Sequence, residues 1–209
     1  INRAYFVPGD IGDPDHDGLT DVVGHNWVFD SASAATILCN LEQRTNAALP
    51  DSITWTYQLS VGVVTLAGYL DADNQVDILC FGGDLDSRTM VIENRANDQY
   101  SLAWTAPRLV SGIFAVGDLD LDGVKEFAGA LGGDASVWRS CGNDQYEQVF
   151  LDSTGLFNGG HDCFFGRDVN RNGRPEFYAS FARYIFNNDW MCYLLSWEAE
   201  GKTYQRVFV

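Results

Sequence analysis

Four stretches of the chain set carboxylate or amide oxygens at alternate positions before a tight turn. The first holds Asp13, Asp15, Asp17, Gly18 and Asp21, and the second Asp71, Asp73, Asn74 and Asp77. The third holds Asp118, Asp120, Asp122, Gly123 and Glu126, and the fourth Asp168, Asn170, Asn172, Gly173 and Glu176. Counted from Asp13, Asp118 and Asp168, the oxygens fall at positions 1, 3, 5 and 9 and glycine at position 6. In the second stretch Tyr69 stands at position 1 and Asn74 at position 6. Alternate side chains of a tight turn face one point, and oxygens gathered there suit a hard cation such as calcium, which takes six to eight of them. Glycine at position 6 permits the positive φ of such a turn. The backbone carbonyl at position 7, from Leu19, Val124 or Arg174, would add one ligand. An EF-hand is excluded, because position 12 is Gly24, Gly129 or Ala179 rather than glutamate.

Asp, Asn and Gly are also ordinary turn formers. Recurrence at fixed offsets separates the two explanations better than any single stretch. The first and third stretches carry four carboxylates each. The fourth replaces two of them by amides, and the second lacks the oxygen at position 1. The expectation is therefore two to four bound calcium ions.

Other chemistry is sparse. His16 lies inside the first acidic stretch at an even position, which points it to solvent. His25 is expected at the surface, and His161 beside Cys163 lacks the further ligands of a transition-metal site. No Gly-x-Ser-x-Gly elbow and no phosphate-cradling Gly-Lys loop is present. Five cysteines without a Cys-x-x-Cys pair exclude a zinc knuckle, and buried single thiols are expected over disulfides. Trp27, Tyr184 and Trp190, with Phe186, Tyr193 and nearby asparagines, could pack between sheets or stack on a sugar face.

The elements that must position these loops repeat with them. The sixth positions, 18, 74, 123 and 173, are about 50 residues apart, the length of one four-stranded propeller blade. In the third repeat 112–117, Glu126–Leu131, 136–140 and 146–151 read as strands, with the loop between the first two. Asn-Asp-Gln-Tyr occurs at Asn97–Tyr100 and again at Asn143–Tyr146, a turn between the last two strands. Aromatic pairs four apart, Tyr100 with Trp104, Tyr146 with Phe150 and Tyr204 with Phe208, are expected on one face of a strand, as are Ile53 and Tyr57. The expected architecture is an all-β propeller in one domain, 1–209, with blades near 1–60, 61–111, 112–159 and 160–209. Four blades would form either a closed ring or part of a larger one of six to eight.

The Asp-x-Asp-x-Asp-Gly-x-x-Asp/Glu loops between blade strands resemble FG-GAP/VCBS repeats, through all four repeats. These build β-propellers in integrin α subunits and in many bacterial secreted or surface proteins. The resemblance implies calcium in the loops and is unspecific about activity, since such repeats occur in adhesins, lectins and polysaccharide lyases. It points to a non-enzymatic, extracellular or cell-surface binding or scaffold module used in adhesion. The alternative it leaves is a calcium-dependent lectin or a lyase-type carbohydrate-active protein. The partner would be a protein or glycan at a cell surface, or a further copy of the chain.

Composition agrees. Of 209 residues 29 are Asp or Glu and 13 Lys or Arg, a formal net charge of −16. That field repels nucleic acid and anionic lipid and attracts cations. No stretch is long and apolar enough for a membrane-spanning helix.

Overall fold

The computed structural model describes residues 4–30, 33–44, 50–57, 61–82, 88–107, 114–131, 133–156, 159–166, 168–185, 189–201 and 203–208. Among them sixteen strands and no helix are found. They form four separate four-stranded sheets, each an antiparallel meander in chain order. The first contains β1 (Ala4–Gly12), β2 (Asp21–Asp30), β3 (Ser33–Glu42) and β4 (Ser52–Tyr57). The second contains β5 (Val61–Gly68), β6 (Asp77–Gly82), β7 (Thr89–Ala96) and β8 (Gln99–Thr105). The third contains β9 (Phe114–Gly117), β10 (Glu126–Leu131), β11 (Asp134–Gly142) and β12 (Gln145–Ser153). The fourth contains β13 (Gly159–Phe165), β14 (Glu176–Ile185), β15 (Asp189–Glu200) and β16 (Thr203–Phe208). The four strands expected in the third repeat are present within these bounds, apart from residues 112 and 113, which lie outside the described residues. The acidic stretches are the connections between the first and second strands of each sheet.

The chain divides into two compact units, one of residues 1–69 and 74–109, the other of 70–73 and 110–209. In the first, β5 lies against β1 and β2. Its core joins Val23 and Leu38 to Ile78, Cys80, Met90, Ile92 and Tyr100, with Trp55 and Tyr57 against them. In the second, β13 lies against β9 and β10. There a stripe of small residues, Ala115, Ala128, Ala130 and Ala135, admits the large rings of Phe177, Phe181 and Trp197. Phe177 and Trp197 stack with centroids 4.8 Å apart. Small residues facing large ones let two sheets approach closely without voids.

Tyr100 with Trp104, Tyr146 with Phe150 and Ile53 with Tyr57 do not share a face, and the side chain of Phe208 lies outside the described residues. The last strand of every sheet carries one extra residue at the same place, at Thr54, Ala103, Val149 and Val207. Leu102 pairs with Ile92 but Trp104 pairs with Val91, and Gln148 pairs with Trp138 but Phe150 with Val137. A bulge shifts the two-residue alternation by one, so the second aromatic of each pair is carried to the opposite face.

All five cysteines are free thiols. Cys39, Cys80 and Cys163 are buried as expected, whereas Cys141 and Cys192 are exposed. His25 is not at the surface. It sits in the middle of β2 rather than after it, opposite the buried Leu38, and is 6% exposed. Burial pushes its imidazole below the usual range.

Candidate metal centres

Three of the four loops share one backbone. The fourth position is left-handed at His16 (φ 60°), Leu121 (φ 61°) and Arg171 (φ 62°), and the sixth at Gly18 (87°), Gly123 (91°) and Gly173 (90°). The position-1 carboxylate fixes that shape by accepting two N–H bonds. Asp13 takes those of Asp17 and Gly18 at 3.2 and 3.1 Å, and Asp118 those of Asp122 and Gly123 at 3.0 and 3.0 Å. Asp168 takes those of Asn172 and Gly173 at 2.9 and 2.6 Å. The position-5 side chain then accepts the N–H of position 7, at Leu19, Val124 and Arg174. Ligand groups are thus preset by the turn itself. In the first and third loops the carboxylate oxygens of positions 1, 3 and 5 lie within 4.8 Å of one another, Asp13 with Asp15 and Asp17, Asp118 with Asp120 and Asp122. Oxygens at that separation can share a calcium ion, whose bonds are about 2.3–2.6 Å long.

The second loop departs from this pattern. Within 69–77 only Asn74 is left-handed (φ 63°). Tyr69, at position 1, instead places its hydroxyl 2.7 Å from Nε2 of His16, which explains the tyrosine without a metal. Asp71 accepts the N–H of Asp73 at 3.3 Å and that of Asp144 at 2.9 Å. Asp77 starts β6 and is buried.

A further residue belongs to each site. The ninth position opens the second strand of its sheet and pairs with one residue of the third strand. The pairs are Asp21 with Glu42, Asp77 with Glu93, Glu126 with Arg139 and Glu176 with Glu198. Three of the four partners are buried glutamates and one is an arginine. No fixed spacing from the loop marks this position, because the hairpins differ in length.

The partner decides how each loop is balanced. In the third loop Arg139 reaches Asp120 (3.3 Å), Asp122 and Glu126 (3.8 Å). One internal guanidinium already offsets part of the charge of these three acids. In the fourth loop Glu198 accepts the side-chain amides of Asn170 (2.9 Å), Asn172 (2.7 Å) and Gln205 (3.1 Å), with Arg174 at 3.5 Å. Burial alone would raise the Glu198 carboxyl, but these donors outweigh it and hold it below the usual range. The amides turn their N–H₂ groups to Glu198, while Oδ1 of each accepts a loop N–H, the arrangement in which amide oxygens can join a cation.

The first loop has fewer donors. Asp21 and Glu42 are each 0% exposed. Asp21 accepts Asn40 Nδ2 at 2.7 Å through one oxygen, and its other oxygen has no hydrogen-bond partner. Burial pushes the Asp21 carboxyl up to about 7, the Asn40 bond opposes this, and the charges of Asp15, Glu42 and Asp17 add to the rise. In the third loop Glu126 is likewise pushed to about 7 by burial, against the N–H of Leu119 and Arg139 and with Asp120 and Asp122. Burial is the first cause of both rises and neighbouring carboxylates add to it, so a cation placed among them would favour the ionised forms.

The side chains of Trp27, Tyr184 and Trp190 lie outside the described residues. Their backbones place Trp27 in β2 and pair Tyr184 with Trp190 across β14 and β15. No family model matches the chain, and no curated protein matches it.

Proposed function

We propose that the four sheets are blades of a calcium-stabilised β-propeller of the FG-GAP/VCBS kind, acting outside the cell as a non-enzymatic binding or scaffold module. The observation that carries this reading is the recurrence of one loop, backbone and hydrogen bonds alike, at the same strand connection in three sheets. Positions 3 and 9 repeat as well, Asp15, Asp120 and Asn170 at the third and Asp21, Glu126 and Glu176 at the ninth, so each of these loops carries four side chains that offer oxygen. Without metal these acids repel one another. A calcium ion cancels the repulsion and fixes the loop, so the strands it joins hold their angle and the surface they present stays rigid. Extracellular modules bind calcium at about 10⁻⁴–10⁻³ M, matched to millimolar surroundings. Two of the guanidiniums beside the loops, Arg139 and Arg174, are already engaged by carboxylates, which favours the binding reading over a lyase.

The test is thermal melting in millimolar calcium and in excess chelator, with bound calcium counted by equilibrium dialysis. A ligand of the folded form at one hundred times its dissociation constant adds about 2.7 kcal/mol. At this chain length each kcal/mol moves the melting temperature by about 2–4 °C. A calcium-dependent rise of that order is expected. Equal melting with no calcium bound would overturn the reading. A glycan array run with and without chelator then separates a lectin from a scaffold.

A further inference from the structure

The Asn-Asp-Gln-Tyr turns have a place that the propeller reading does not use. In both, the aspartate is left-handed, Asp98 at φ 56° and Asp144 at φ 54°. In both, its N–H points at the position-3 aspartate of an acidic loop. Asp98 donates to Asp15 at 2.8 Å, and Asp144 donates to Asp71 at 2.9 Å. The turn between β7 and β8 is thereby docked on the first loop, where Asn97 Nδ2 also reaches Asp17 at 3.2 Å.

This docking brings a second group of acids together. Oxygens of Asp15, Glu42 and Asp98 lie within 4.8 Å of one another, beside the group of Asp13, Asp15 and Asp17. Asp15 belongs to both. In this group and at Asp21 beside it, buried oxygens have nothing to accept from. Oε1 of the fully buried Glu42 and Oδ2 of the fully buried Asp21 have no hydrogen-bond partner, nor have Oδ1 of Asp15 and Oδ1 of Asp98. Among the described residues, the guanidinium that pairs with this neighbourhood of six carboxylates, Asp13, Asp15, Asp17, Asp21, Glu42 and Asp98, is that of Arg44, through Glu42 and Asp98. One divalent ion and one arginine leave this cluster strongly anionic. Arg44 is 47% exposed, so it has solvent to retreat into.

We propose that the first loop holds two divalent cations that share Asp15. One sits among Asp13, Asp15 and Asp17, and the second is bound by Asp15, Glu42 and Asp98 in competition with Arg44. The tip of the β7–β8 hairpin is then a metal ligand, and the second ion ties the second sheet to the loop of the first. This rests on the calcium reading above.

Calcium is counted and its affinities measured by equilibrium dialysis and calorimetry on the full chain. The variants are Asp98→Asn, which tolerates the left-handed backbone, and Glu42→Gln, which keeps a hydrogen bond to Arg44. Each is expected to bind one calcium fewer than wild type, with the remaining sites unchanged. Arg44→Gln is expected to bind the same number as wild type but to tighten one site several-fold, a gain that lost packing cannot produce. An unchanged count in both acid variants, or only a weakened affinity at an unchanged count, overturns the second ion and leaves calcium binding standing. A wild-type chain that binds no calcium overturns both.

Discussion

Arg139 stands where the other three sheets carry a buried glutamate. Its consequence is specific to one loop. By composition the first and third loops are equals, with four carboxylates each. The guanidinium on Asp120 and Asp122 makes them unequal, because an incoming cation must displace it from a site where it is only 17% exposed. Arg139→Glu is therefore expected to tighten calcium binding at the third loop by about tenfold or more, about 1.4 kcal/mol per factor of ten. Calorimetry would show it as a new or strengthened site, and Arg139→Gln should give a smaller gain. Loss of calcium in either variant would mean that Arg139 shapes the loop rather than competing at it. The acidic groups of the loops that could hold an ion were legible in the sequence because they sit at fixed local offsets. Arg139, Glu42 and Asp98 were not, since a strand or hairpin of another part of the chain delivers them. One trace existed: Arg139 lies four residues before Asn143, as Glu93 lies four before Asn97. The opposite charges at those two places hid their equivalence.

At the scale of strands, the bulge in the last strand of each sheet shifts the alternation of its side chains by one. In the second unit this yields a polar lock. Arg206 of β16 makes a paired contact with Asp152 of β12 at 2.9 and 2.7 Å, and Trp197 Nε1 of β15 donates to the same carboxylate at 2.7 Å. Val207, next to Arg206, is the extra residue. Phe150 and Tyr204 lie alongside, with ring centroids 5.5 Å apart. Charge-assisted bonds of this kind contribute more than neutral ones, and Asp152 is only 19% exposed. Asp152→Asn is expected to destabilise by about 1–3 kcal/mol, seen as a melting temperature lower by about 2–4 °C for each of them. The same change in calcium and in chelator would place the effect in the sheets. Dependence on calcium would mean instead that the lock acts through the loops. Strand number, order and connection were readable from the period of the loops and the turn residues. The bulges were not, because Thr54, Ala103, Val149 and Val207 are ordinary strand residues and none is a turn former. A bulge is set by how two twisted sheets must meet, which single-strand alternation does not encode.

Over the whole molecule the acids give stability an unusual dependence on pH. Asp21 and Glu126 have folded values near 7, and Asp15, Glu42, Asp71 and Asp120 are raised too, burial being the first cause for all. Their unfolded values are near 4. Between those limits the folded chain binds more protons than the unfolded one, so the stability these groups contribute is present below about pH 4 and is lost as pH rises through about 7. His25, lowered by burial, acts in the opposite sense, as do the lowered carboxyls of Asp122 and Glu198, whose change falls below the unfolded carboxylate range and so outside that window. In excess chelator the melting temperature should therefore fall between pH 5.5 and pH 8. In saturating calcium the metal needs the ionised acids and replaces the protons, so the fall should vanish or reverse. The gap between the two curves is expected to widen steadily with pH across that window. A gap that does not change with pH would mean that the raised carboxyls and the calcium ligands are different groups, and that the repulsion proposed to couple metal to rigidity is not what holds these loops.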